Sequence, residues 1–230
     1  GQNANLIIQG YFRQLHQSEF NDSIVYATGR NGLLVLKNEN NILKQIGYIN
    51  GLDYDVRTIV HEAANIIWLG SNNDGFFRLE FNNDDILNPE IVQYNSGFGL
   101  PEEYEWADVY KTSFGILFST GKGIYSFNNE EFKFDTRFSE DVLHPNSYYP
   151  LVEDKNKRLW FCSNSFDSNS KIGYFYLDEN NDFSLQNISI PKLIDHNIEC
   201  IYHDVNNIIW FGGFDGIVRY KERQSLVKTE

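Results

Sequence analysis

Methionine is missing from all 230 residues, the first position included. The chain is therefore expected to be a processed or excised part of a longer polypeptide. Cysteine is nearly missing. Cys162 and Cys200 are too few for a disulfide framework, and no CxxC spacing suggests a metal or redox centre. Both lie in apolar runs, "WFCSN" and "IECIY", and read as two buried free thiols. Positive charge is scarce: 19 Lys and Arg stand against 32 Asp and Glu, a formal charge of −13. A surface that acidic repels phosphate backbones and anionic lipids, which argues against nucleic-acid binding and membrane adhesion. No run approaches the roughly 18 apolar residues of a membrane span, so direct insertion by this segment is not expected. The first residues lack the pattern of a secretory signal peptide.

What is present is aromatic and periodic. Phe, Tyr and Trp make up 16% of the chain, which favours strands over helices. The length suffices for one or two domains. Five segments align on a bulky anchor followed by small residues, a turn ending in Gly and a second apolar run. They are "SIVYATGRNGLLVLK" (Tyr26, Gly32), "NIIWLGSNNDGFFRLE" (Trp68, Gly75), "GILFSTGKGIYSFN" (Phe118, Gly123), "RLWFCSNSFDSNSKIGYFYLD" (Trp160, Gly173) and "IIWFGGFDGIVRYKE" (Trp210, Gly216). Each reads as a β-hairpin whose Gly supplies the positive φ of the turn.

A third strand precedes the hairpin in "VRTIVHE", "YYPLVED" and "IECIYHD", each ending in an acidic residue. A fourth follows it in "EIVQYN", "EFKFDTRF" and "DFSLQNI". Four antiparallel strands per repeat make a propeller blade, so the expected fold is all-β, a β-propeller of about five four-stranded blades. The blades fall roughly at 10–50, 51–100, 101–145, 146–195 and 196–222, with 223–230 as a tail leading to a further region.

The unit resembles the repeat of the two-component-regulator propeller family, the extracytoplasmic sensor part of many bacterial hybrid sensor histidine kinases. "INGLDYDVRTIVHEAANIIWLGSNNDGFFRLEF" follows that repeat from end to end, "YYPLVEDKNKRLWFCSN" and "IECIYHDVNNIIWFGGFDGIVRYKE" carry its core, and "SGFGLPEEYEW" is similar to its inter-blade segment. Tyr26 and Phe118 depart from the family's Trp, Cys162 stands where Gly70 and Gly212 stand in their repeats, and the family's propellers usually have more blades. The resemblance implies a periplasmic part of a membrane-anchored protein that senses a ligand, often an oligosaccharide, and relays a conformational signal to a kinase output domain. The remainder of that sensor protein and a homodimeric partner are the implied partners. A propeller scaffold for protein–protein contact, without a small ligand, stands as the alternative.

Nothing in the chain points to catalysis. No Ser-His-Asp order, H-E-x-x-H or G-x-S-x-G is present, so this part of the protein is expected to be non-catalytic and to need no cofactor or metal. His61 and His203 occupy equivalent repeat positions and read as structural turn residues. Glu62, Asp154 and Asp204 are placed to accept hydrogen bonds from their own turns. "SNSFDSNSK" (163–171) carries oxygen ligands but no Glu at the spacing of a calcium loop. The loops leading into each first strand, "NGLDYDVR", "GLPEEYEW", "HPNSYYP" and "LIDHNIE", bring Tyr54, Asp55, Arg57, Tyr104, Trp106, Tyr148, Tyr149 and His196 to one rim. Aromatic faces with a few polar groups suit sugar stacking or a peptide.

Overall fold

The computed structural model describes residues 6–82, 85–103, 105–139, 148–163, 171–188, 198–213 and 216–221. Two compact units divide the chain, Gly1–Phe134 and Asp135–Glu230. The first holds three four-stranded sheets. The first sheet is β1 (Phe12–Gln17), β2 (Ile24–Gly29), β3 (Gly32–Glu39) and β4 (Ile42–Tyr48). The second is β5 (Val56–Ala63), β6 (Ile66–Ser71), β7 (Phe76–Glu80) and β8 (Glu90–Tyr94); the third is β9 (Ala107–Thr112), β10 (Gly115–Thr120), β11 (Gly123–Asn128) and β12 (Glu131–Phe134). The second unit holds β13 (Tyr148–Glu153), β14 (Leu159–Ser163), β15 (Lys171–Leu177) and β16 (Phe183–Ile188) as the fourth sheet, and β17 (Ile198–His203), β18 (Ile209–Gly213) and β19 (Gly216–Tyr220) as the fifth.

Every sheet is an antiparallel meander in chain order, so the fold is an all-β propeller. The fifth sheet has three strands among the described residues where four are expected. The only described helical turn is a 3-10 turn at Ser96–Phe98, between the second sheet and the third. No helix among the described residues is long and apolar enough to cross a membrane.

Strand alternation dictates how sheets pack. Trp68 points to one side of β6 while Ile67 and Leu69 point to the other. Ile67 and Leu69 join Tyr26, Leu33 and Val35 of the first sheet in one buried cluster. Trp68 joins Phe118, Tyr125 and Phe132 of the third sheet in another. In the second unit Trp160 and Cys162 bury against Ile201, Ile209 and Phe211 of the fifth sheet. Within each unit, then, the side of a sheet that carries the anchor ring is sealed by the sheet that follows in sequence. We call this side the forward face.

Register corrects one anchor. Ser71, Ser163 and Gly213, the last residues of β6, β14 and β18, pair with the first residues of β5, β13 and β17, and Trp68, Trp160 and Trp210 each lie three residues earlier. In the third sheet Thr120 pairs with Ala107, which puts Leu117, not Phe118, at the equivalent place. Phe118 faces backwards, and its ring meets Trp68 edge-on at 4.9 Å. A one-residue shift along a strand reverses the face, and local similarity of residues does not reveal it.

The glycines separate too. Gly32, at φ +93 in the β2–β3 turn, has room for no side chain: a Cβ there would lie 2.0 Å from the Leu52 carbonyl oxygen. Gly173 is not a turn residue but pairs with Phe161 inside β15, where a Cβ would fall 2.4 Å from the Gln186 carbonyl oxygen. Cys162 is buried as expected. Cys200 is exposed, because it lies on the forward face of the fifth sheet, paired with Gly212.

A candidate ligand rim on the first unit

The second residue of each first strand is polar: Arg13 in β1, Arg57 in β5, Asp108 in β9, Tyr149 in β13 and Glu199 in β17. Each directly follows an apolar residue, Phe12, Val56, Ala107, Tyr148 or Ile198, which marks a position kept for recognition or for tying sheets together. In the first unit these residues interlock. Arg13 donates to both oxygens of Asp55, at 3.1 and 2.8 Å. Asn72, just after β6, donates to the same carboxylate at 2.6 Å and accepts from Arg57 Nη1 at 3.1 Å. Arg57 also grips both oxygens of Asp108, at 3.0 and 3.2 Å. Bidentate arginine–carboxylate pairs fix geometry as well as charge. The chain Arg13–Asp55–Asn72–Arg57–Asp108 thus fastens together the first strands of all three sheets.

Burial grades the network. Complete burial pushes the Asp108 carboxyl above its ordinary range, and Arg57 and the Thr58 hydroxyl work against that rise. Partial burial also penalises Asp55, but Arg13 and Asn72 hold its pKa below the usual aspartate value. Asp74, in the β6–β7 turn, is pushed up by burial and by the Asp55 charge. Around this network stand flat surfaces. The Arg57 guanidinium lies 5.8 Å from the centre of the Trp106 ring, which borders the Gly121 turn between β10 and β11. Arg30 lies 4.5 Å and Arg13 5.3 Å from the ring of the exposed Tyr11.

Asp55, Arg57 and Trp106 therefore lie close together in the first unit. Tyr54 is not offered outward: it lies half-buried on Phe77, ring centres 4.6 Å apart. Tyr148 is a core residue, 2% exposed, edge-on to Phe161 and Phe175 at 4.8 and 5.0 Å. Tyr149, in the second unit, donates to the Glu199 carbonyl at 3.3 Å. Tyr104 and His196 lie outside the described residues, as does most of the 163–171 loop. No group of three or more metal-ligating side chains occurs among the described residues. Arg13, Arg30, Asn72 and Asp108 are site residues that the lead-in loops alone did not reveal. For Arg13 and Asp108 the signal was a charged residue one step into a first strand; Arg30, in the β2–β3 turn, and Asn72, just after β6, carried no such signal.

The repeat histidines and acids also find their places. Trp68, Trp160 and Trp210 donate their indole N–H to Glu62, Asp154 and Asp204, six residues earlier, at 2.7, 2.9 and 3.0 Å. Asp154 and Asp204 additionally accept two turn amides each, at 2.8 and 3.0 Å. His203 ends β17 and bonds Asn207 at 2.9 Å across the turn. His61 instead lies inside β5, fully buried.

No protein-family model and no curated protein matches the chain. Solved structures do. The Cps50 (Swd1) β-propeller domain of Myceliophteria thermophila superposes with a TM-score of 0.60 at 9% identity, over 91% of this chain and 70% of that one. YCF48 bound to D1 peptide gives 0.60 at 11% identity, over 96% and 67%. PorZ of Porphyromonas gingivalis, an essential surface component of the type-IX secretion system, gives 0.61 at 14% identity, over 94% of this chain and 34% of its own length. The chain thus spans about a third of PorZ. At these identities the likeness shows the fold, and together with the meander topology it defines a β-propeller.

Proposed function

We propose that the chain is a non-catalytic recognition module, the extracytoplasmic sensor region of a two-component signalling protein. It takes a ligand, with an oligosaccharide as the first candidate, on the rim formed by Tyr11, Arg13, Arg30, Arg57 and Trp106. The observation that carries this reading is the charged chain joining β1, β5 and β9, because a ligand that displaces one member alters the tie between three sheets. Such a coupling suits a sensor that must convert occupancy into a change of stiffness and pass it to an output domain. The family resemblance of the repeat supports the same reading by analogy. A thermal-shift screen against neutral and acidic oligosaccharides tests it. At a concentration 100-fold above Kd, a binder stabilises by about 2.7 kcal/mol, or roughly 5–10 °C for a chain of this size. Trp106→Ala is expected to abolish the shift. A screen in which no sugar raises Tm overturns the carbohydrate reading. The second reading, a protein-interaction scaffold, is favoured by one observation: exposed apolar side chains on one face of the fifth sheet, with Tyr202 62% and Ile217 76% exposed.

A further inference from the structure

At the far ends of β1 and β5 from the rim, His16 and His61 lie ring to ring, centres 5.4 Å apart and planes 30° apart. Phe20 stands edge-on to His61 at 5.3 Å, and Tyr26 lies at 6.0 Å. His61 is 1% exposed. Among the described residues neither of its ring nitrogens, nor Nε2 of His16, makes a hydrogen bond of normal geometry, and the one polar group near enough to act on the His61 ring is the Ala63 backbone. Buried polar groups are nearly always well satisfied, so ring nitrogens held this poorly in one pocket require an explanation.

We propose that the His16–His61 pair is a proton-operated latch on the seam between the first and second sheets. Neutral, the two imidazoles pack as aromatic rings and hold the seam shut. Charged, each needs water or an anion, and the pocket supplies little of either. The charged and titratable groups that face the pair come from three places. Glu19, in the β1–β2 turn, favours the charged form of both rings, whereas Lys111 of β9 opposes it. Those two form an ion pair with each other, which spends much of the Glu19 charge. His61 opposes charge on His16, the Ala63 backbone favours charge on His61, and burial pushes the Tyr26 hydroxyl up to about 12, leaving it neutral. Burial is the largest influence on both histidines and lowers both pKa values. Of the rings on His61, Phe20 in the β1–β2 turn is the one that solvent already reaches, at 53% exposed, and the latch opens by that turn swinging outward.

The direction of the response follows. Above the ordinary histidine value of about 6.5 both closed and open forms are neutral, and pH has no effect. Below it the open form takes up protons first, so opening gains up to tenfold per pH unit for each histidine. The gain stops growing once the pH passes the depressed values of the closed form.

Hydrogen exchange at pH 7.5 and 5.5, corrected for intrinsic rates, together with an NMR titration of the imidazoles, tests the latch on the full chain. Amides at the ends of β1 and β5 are expected to open about tenfold more often at the lower pH, and up to about a hundredfold if both rings respond. Those of β14 and β15 are expected to be unchanged. His61→Phe, which keeps an aromatic ring in the pocket, is expected to remove most of the difference. If that variant fails to fold, the wild-type titration decides alone. Imidazoles that titrate at or above 6.5, or an exchange difference that survives in His61→Phe, would overturn the proposal.

Discussion

Three carboxylates stand six residues ahead of three indoles, and each pair closes a strand–turn–strand corner. Where no indole is presented the acid is absent as well: Phe20 precedes Tyr26, and Lys111 precedes Leu117, by the same six residues. The acid therefore serves the ring as much as the turn, a role that composition could not show because an Asp in a turn is explained by the turn alone. Asp154 is the most committed of the three. Its side chain is wholly buried and also accepts Arg158 Nε at 2.7 Å. Removing one partner from a buried charge pair costs about 3–5 kcal/mol, the loss expected for Asp154→Ala in urea denaturation. Burial works against the Asp154 charge, but the bonds from Trp160 and Arg158 hold its pKa below the ordinary value. A depressed carboxylate stabilises the fold above its unfolded pKa and loses that contribution as pH falls through its folded one. Asp154→Asn is therefore expected to flatten the decline in stability below about pH 4. A decline equally steep in the variant would assign acid sensitivity to other groups.

Hairpins are the part of this molecule that the chain announces most clearly. Alternating apolar residues around Gly32, Gly75 and Gly216 specify a strand, a turn and a strand by local chemistry alone, and β2–β3, β6–β7 and β18–β19 follow. Which way a strand faces is not local. It depends on the partner strand's register, and so Phe118 passes for an anchor in the sequence while Leu117 holds the place in the sheet. Gly173 misleads for the same reason, since nothing in "SKIGYFYL" says that the Gln186 carbonyl will press against it. Gly173→Ala must push β15 and β16 apart, and a loss of about 1–3 kcal/mol is expected in chemical denaturation. Forward faces predict a graded series as well. Trp68→Ala and Trp160→Ala each empty a sealed interface and are expected to cost about 3–5 kcal/mol. Trp210→Ala, on a face that is only half covered, is expected to cost clearly less. Equal losses at all three would show that the fifth sheet is sealed in solution. The rim was legible in part: Asp55 and Trp106 lie in the segments that lead into first strands, and Arg57 one step into β5. Their ties to Arg13 and Asp108 bridge 42 and 51 residues, separations that only the stacking of sheets makes short.

At the scale of the molecule the charge of −13 is carried while apolar groups stay in the open on one face of the fifth sheet, Tyr202 and the Cys200 thiol on β17 and Ile217 on β19. A thiol reagent offered to the native chain is expected to modify Cys200 and spare Cys162, which is enclosed and whose pKa burial pushes up to about 12. Rapid modification of both would mean that the seal between the fourth and fifth sheets opens readily. The placement of the indoles has a last consequence. The chain has four tryptophans: Trp68 in the second sheet, Trp106 at the lip of the third, Trp160 in the fourth and Trp210 in the fifth. Their surroundings range from fully enclosed to half open to solvent, so their emission colours must differ. A set of single-tryptophan variants would turn the protein into its own optical gauge. Trp106 would register what arrives at the rim, and the other three would report, sheet by sheet, how far the disturbance travels.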